Sequence, residues 1–111
     1  MKRKYRLRRN SDFQQVRRVG KSYASPILVL AFLRNELDHS RFGFVVSKHL
    51  GKAVQRNKIK RRLREAARFR LKKIKPGFDL VFIARHPARQ ASYREISEVL
   101  DHLLQMADLL L

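Results

Sequence analysis

The sequence contains no cysteine, only nine acidic residues in 111, and no long hydrophobic run. Without cysteine, disulfides and thiolate metal sites are excluded, and a reducing compartment is permitted. No apolar stretch approaches the roughly 20 residues that cross a bilayer, and there is no pair of lipidation signals, which argues against a membrane as the partner. The opening Met1-Lys2-Arg3-Lys4-Tyr5-Arg6 has the charge of a signal peptide's start but no apolar stretch after it, so a cytoplasmic protein is expected. Against the nine acids stand 27 Lys and Arg, a formal net charge of +18. Self-repulsion of that size destabilises a compact body unless a polyanion binds it, and nucleic acid is the commonest polyanion.

A chain of this length fits one domain, here 1–111, with residues 1–9 a basic arm and a candidate for flexibility. The charge is unevenly placed. Residues 1–24 carry nine bases and one acid, residues 48–75 carry thirteen and one, and the last twenty residues reverse the balance, with Arg94 against Glu95, Glu98, Asp101 and Asp108. Two basic segments that meet on one face, with the final helix away from it, would give the surface a polarity.

A first short helix is predicted from Ser11 as cap with Gln14 as its capping-box partner and Gly20 as the stop, Phe13 and Val16 falling on one side. The apolar runs Ile27–Leu33, Phe42–Val46 and Phe78–Ala84 are too short for typical helices and are read as strands, with a further extended piece near Ser22–Ala24. Turn signals lie at Asn35–Ser40 and Pro76-Gly77. From about Val54 to Ile74 the pattern is helical, with Ile59, Leu63, Ala66, Ala67, Leu71 and Ile74 on one stripe. A last helix starts at Ser92, with Glu95 closing the capping box, and buries Ile96, Val99, Leu100, Leu103, Ala107 and Leu110. The order predicts an α+β fold, helices packed over a mixed sheet.

Opposite the apolar stripe of the long helix, Asn57, Lys60, Arg61, Arg64 and Arg68 fall together. Guanidinium groups match phosphate oxygens with two parallel donors, and asparagine adds a donor and an acceptor for sugar or base edges. Lys48, Gly51 and Lys52 precede the helix, where free backbone N–H groups favour anions. A solvated helix face is the competing explanation. Such a face would interleave both signs, whereas Glu65 stands alone among thirteen bases. Periodicity does not choose between DNA and RNA.

The segment Ser47-Lys48-His49-Leu50-Gly51-Lys52-Ala53-Val54-Gln55-Arg56-Asn57-Lys58-Ile59-Lys60-Arg61-Arg62-Leu63-Arg64-Glu65 resembles the signature of the bacterial ribonuclease P protein, an Arg-Asn-Arg triplet followed by an aliphatic residue, Lys, Arg and a later Arg. The resemblance extends to Leu7–Gly20, Arg41–Ser47 and Ile83–Ala88 in the same order. It implies a single domain of αβββαβα order with a four-stranded mixed sheet and a left-handed β-α-β crossover. It also implies a protein subunit that binds a catalytic RNA and the 5′ leader of precursor tRNA, so that the assembled particle is an endoribonuclease whose chemistry lies on the RNA. The candidate RNA-binding residues are thus Lys48, Lys52, Arg56, Asn57, Lys58, Lys60, Arg61, Arg64 and Arg68, and the resemblance implies a leader cleft at Phe13 and Arg17. By the same resemblance, Lys48 and the Arg56–Arg64 helix contact the RNA subunit or help place metal ions near it. Magnesium held chiefly by RNA is the implied cofactor, with no organic cofactor and neither DNA nor membrane as partner. Two positions depart from the pattern. Lys58 ends the triplet in place of Arg, keeping charge without the planar fork, and Arg17 stands where a second cleft aromatic is expected, so stacking there would be guanidinium on base.

No acid and base pair or ligand set for hydrolysis is visible. His39, His49, His86 and His102 are scattered. Asp12, Glu36, Asp38, Glu65 and Asp79 are isolated and read as caps, turns or surface residues, and Glu95, which shares a helical face with Glu98, is already used in capping. Phe42, Phe44 and Phe82 are assigned to the core, Tyr5, Tyr23 and Tyr93 to neither core nor surface, with Tyr23 a candidate for base stacking. A structural rRNA-binding protein is the alternative function. A nucleoid DNA binder is disfavoured for want of a dimer seam or minor-groove arms.

Overall fold

The computed structural model describes residues 1–111. Three helices, α1 (Asn10–Val19), α2 (Ala53–Arg68) and α3 (Tyr93–Met106), surround four strands, β1 (Lys21–Ala24), β2 (Leu28–Arg34), β3 (Arg41–Val45) and β4 (Phe78–Ala84). The sheet order is β1-β2-β4-β3, antiparallel except for the parallel β3/β4 pair that α2 connects. The fold is therefore the α+β, mixed four-stranded arrangement predicted.

Alternation along β2 and β4 divides the apolar residues between two faces. Leu28, Leu30, Phe32, Leu80, Phe82 and Ala84 join α2 and α3 in a buried cluster of 20 residues. The opposite face supplies Ala31 and Val81 to a cluster of four with Leu7 and Val16. The continuous apolar run of β4 follows from its central place, covered on both faces.

The helix ends show where local signals won and lost. Ser92 accepts from the Glu95 backbone N–H at 3.1 Å while the Glu95 carboxylate accepts from the Ser92 N–H, the predicted capping box. Ser11 caps nothing. The helix begins at Asn10 with Arg9 in the cap position and no side-chain bond, because Leu7 is already pinned to the sheet by its N–H to the Phe42 carbonyl, 2.9 Å. The arm is thus docked, with a 3-10 turn at Arg3–Tyr5 and Leu7 buried. Gly20 does end α1, for reasons of space: a Cβ there would lie 2.3 Å from the Phe32 carbonyl oxygen.

The helix expected to reach Ile74 stops at Arg68. Arg70 turns back on it, donating to the Ala66 carbonyl at 2.7 Å, and binds Asp101 and Ser97 of α3. Leu71 and Ile74 still pack on the core, but from a 3-10 turn (Leu71–Lys73) and the segment after it. Leu104 and Leu109, absent from the predicted core, are fully or almost fully buried.

Candidate nucleic-acid interface

β3 lies at the edge of the sheet, and beyond its contact with the arm at Phe42 no strand pairs with its outer side. With α1 on one side of this edge and α2 on the other, a groove is left along it. Two adjoining hollows of about 360 and 320 Å³ form the groove. The first is lined by Phe13 and Arg17 of α1, Phe44 of β3 and Lys60 of α2; the second shares Phe13, Phe44 and Lys60 and adds Asn57, Arg64 and Arg6. The two groups of residues predicted separately, one on the first helix and one on the basic helix, therefore face the same space.

Phe13 is half-buried, its ring lying over Gly43 so closely that a Cβ at Gly43 would come within 2.4 Å of it. Any side chain at 43 would have to push the Phe13 ring aside. Phe44 corrects the core assignment. Its ring stacks on Phe82 at 6.0 Å, but its other side is half-exposed at the groove because an edge strand has no outer neighbour to cover it. Phe42 and Phe82 are buried as predicted. Tyr23 stacks on Phe32 at 6.2 Å and packs on the main core, away from the groove.

Not all bases of 48–75 are available to a ligand. Arg62 donates to the Ala91 carbonyl at 2.9 Å, tying α2 to the start of α3. Arg56 is half-buried and donates to the Gly51 carbonyl at 3.1 Å. The loop needs glycine at that point, since φ is +124°. Arg70 is held by Asp101, whose carboxyl lies below the usual aspartate range because it accepts from that guanidinium. Lys75 pairs with Asp108 at 3.4 Å.

Arg68 departs from the predicted ladder: it pairs with Glu65 and covers the Phe69 ring at 4.7 Å. The hydrogen bond from Arg68 holds the Glu65 carboxyl below its ordinary range. By contrast Asn57, Lys58, Arg61 and Arg64 are exposed and Lys60 half-exposed, none in an ion pair. Asn57, Lys60 and Arg64 line the groove, while Lys58 and Arg61 lie outside its lining. Lys48 and Lys52 are exposed on the loop that leads into α2.

One ion pair that ties α1 to the sheet was not legible in the sequence. Asp79, assigned to a cap, turn or surface, is buried and accepts two bonds from Arg41, 2.9 and 2.7 Å, and one from Asn35. The bond to Asp79 raises the Arg41 pKa further, and Arg41 also reaches Asp12 of α1 at 3.7 Å. One guanidinium thus links β3, β4 and α1. No group of three or more His, Asp or Glu side chains converges on a metal-sized site.

The family model for ribonuclease P matches residues 1–108. Ribonuclease P protein components from Clostridioides difficile, 42% identical over 104 residues (93% of this chain, 91% of that protein), and Roseiflexus castenholzii, 45% identical over 108 residues (96% and 88%), are similar to it. Among solved structures, the Staphylococcus aureus RNase P protein superposes with a TM-score of 0.88 at 40% identity, covering 95% of this chain and 96% of that one. The Thermotoga maritima RNase P protein superposes at 0.81 with 36% identity, covering 90% and 96%.

Proposed function

The chain belongs to the ribonuclease P protein family, and from that premise we propose that the β3-edge groove holds the single-stranded 5′ leader of precursor tRNA while the exposed bases of α2 and its leading loop hold the RNA subunit. The observation that carries this reading is the convergence of Phe13, Phe44 and Arg17 with Asn57, Lys60 and Arg64 on one groove. Aromatic and guanidinium planes accept any base by stacking, and cations track the backbone, which suits a strand of variable sequence. Lys48, Lys52, Lys58 and Arg61, outside the groove, suit phosphates of a folded RNA.

In this reading the RNA subunit performs the hydrolysis, with magnesium held by RNA phosphates. The protein contributes positive charge and position, lowering the repulsion between two RNAs. The setting is the cytoplasm. No feature of the groove favours ribosomal RNA.

The test is reconstitution. The protein alone leaves precursor tRNA uncut, and with the RNA subunit it yields 5′-mature tRNA at lower magnesium than the RNA requires by itself. Cleavage by protein freed of RNA, or an unchanged magnesium requirement, contradicts the proposal.

A further inference from the structure

The basic face of α2 does not end with the groove. Arg68 lies one turn beyond Arg64, and past the docked arm it lines a separate cavity of about 530 Å³, within the range of small-ligand pockets. Asn57 to Arg68 spans about 16 Å of helix, and Phe42 lines both spaces, with residues of the arm in each lining. Arg6 and Leu7 of the arm face the groove, and Tyr5 faces the cavity.

The cavity's chemistry is mixed in a specific way. Tyr5 and Leu71 give it an apolar wall, and the Tyr5 ring is fixed edge-on against His39 at 5.8 Å. Lys2 and Lys72 add two exposed cations in no ion pair, while Arg68, which also lines the cavity, is already held by Glu65. The one carboxylate, Asp38, is already engaged by His39 at 2.8 Å. A flat apolar group carrying an anion satisfies both halves of this lining.

Resting on the reading of the groove as an RNA interface, we propose that this cavity binds one unstacked nucleotide of the same RNA strand, its base against Tyr5 and its phosphate between Lys2 and Lys72. The strand passes from the groove over the arm into the cavity. Loss of one stacked base weakens binding by about 10-fold, and that is the effect assigned to Tyr5.

The experiment follows backbone amide signals of the full chain by NMR during titration with adenosine 5′-monophosphate, with ribose 5-phosphate, and with single-stranded RNA oligonucleotides of increasing length. The proposal expects the mononucleotide to shift Tyr5, Leu71 and Lys72 more than the base-free sugar phosphate does. It also expects oligonucleotides long enough to leave the groove to shift the same signals with a step in affinity. That step should fall about 10-fold in Tyr5→Ala and remain in Tyr5→Phe. Because Tyr5 also packs on the core, Lys72→Ala, an exposed change, must independently weaken the step. If short and long oligonucleotides shift only groove residues such as Phe13 and Asn57, the cavity proposal fails and the groove reading stands. If the mononucleotide enters but the long oligonucleotide does not, a free nucleotide is the ligand and the strand path is wrong. If no RNA shifts either region, both readings fall.

Discussion

Phe44 and Phe82 are register partners on neighbouring strands, stacked at 6.0 Å, yet they belong to different regions of the molecule. Phe82 has strands on both sides and helices above, and none of its surface is exposed. Phe44, one strand outward, has no neighbour beyond it and opens on the groove. The same division runs along α2. Arg62 is bonded to Ala91 and holds the fold together, whereas Arg61 and Arg64, its neighbours in sequence, have no partner in the protein. The lesson is that position relative to the sheet edge, more than residue type, separates what stabilises from what is left for a ligand.

Substitutions on the two sides should sharpen this contrast. Phe82→Ala empties a fully buried site and is expected to cost about 3 to 5 kcal/mol in denaturant unfolding, with RNA affinity per folded molecule unchanged. Arg70→Ala, removing bonds to Asp101 and Ala66, should cost about 2 kcal/mol of stability and likewise spare RNA binding. The pair also has a pH signature. Because the folded Asp101 lies below its ordinary range, its contribution is present at neutral pH and is lost as the pH falls through the folded-state value. Asp101→Asn should therefore flatten the acid limb of the stability curve.

On the groove side the expected effects reverse. Phe13→Ala should cost about 1 to 3 kcal/mol in affinity for leader-bearing RNA, with little change for mature tRNA and a smaller melting loss than Phe82→Ala. A large melting loss without a leader-specific defect would place Phe13 in the core. Smallest is Ser92→Ala, which deletes the α3 cap at about 1 kcal/mol, read by thermal melting, and leaves RNA binding intact because α3 carries no part of the groove.

What was legible in the sequence was mostly local. The bounds of β4 and the capping box of α3 follow from residues within a few positions of each other. The basic ladder was legible as a pattern because its spacing is helical. The rest depended on contacts distant in sequence. Arg41 meets Asp79 across 38 residues and Arg70 meets Asp101 across 31, so neither the isolated look of Asp79 nor the early stop of α2 could be read locally. The half-exposure of Phe44 depends on the strand order placing β3 outermost, which an apolar run does not encode. Ser11 looked like a cap because capping signals ignore where the preceding chain is anchored, here at Leu7.

The unpaired cations of α2 are assigned to RNA phosphates. The most direct test of this assignment is the salt dependence of RNA affinity for the double variant Arg61→Ala, Arg64→Ala beside the unaltered protein. With about 0.7 lost from the log-log slope for each single-strand phosphate contact, removing two contacts should flatten the slope by about 1.4, weaken binding at low salt, and leave the melting temperature in place. An unchanged slope with unchanged affinity would make these arginines a solvated helix face and contradict the account.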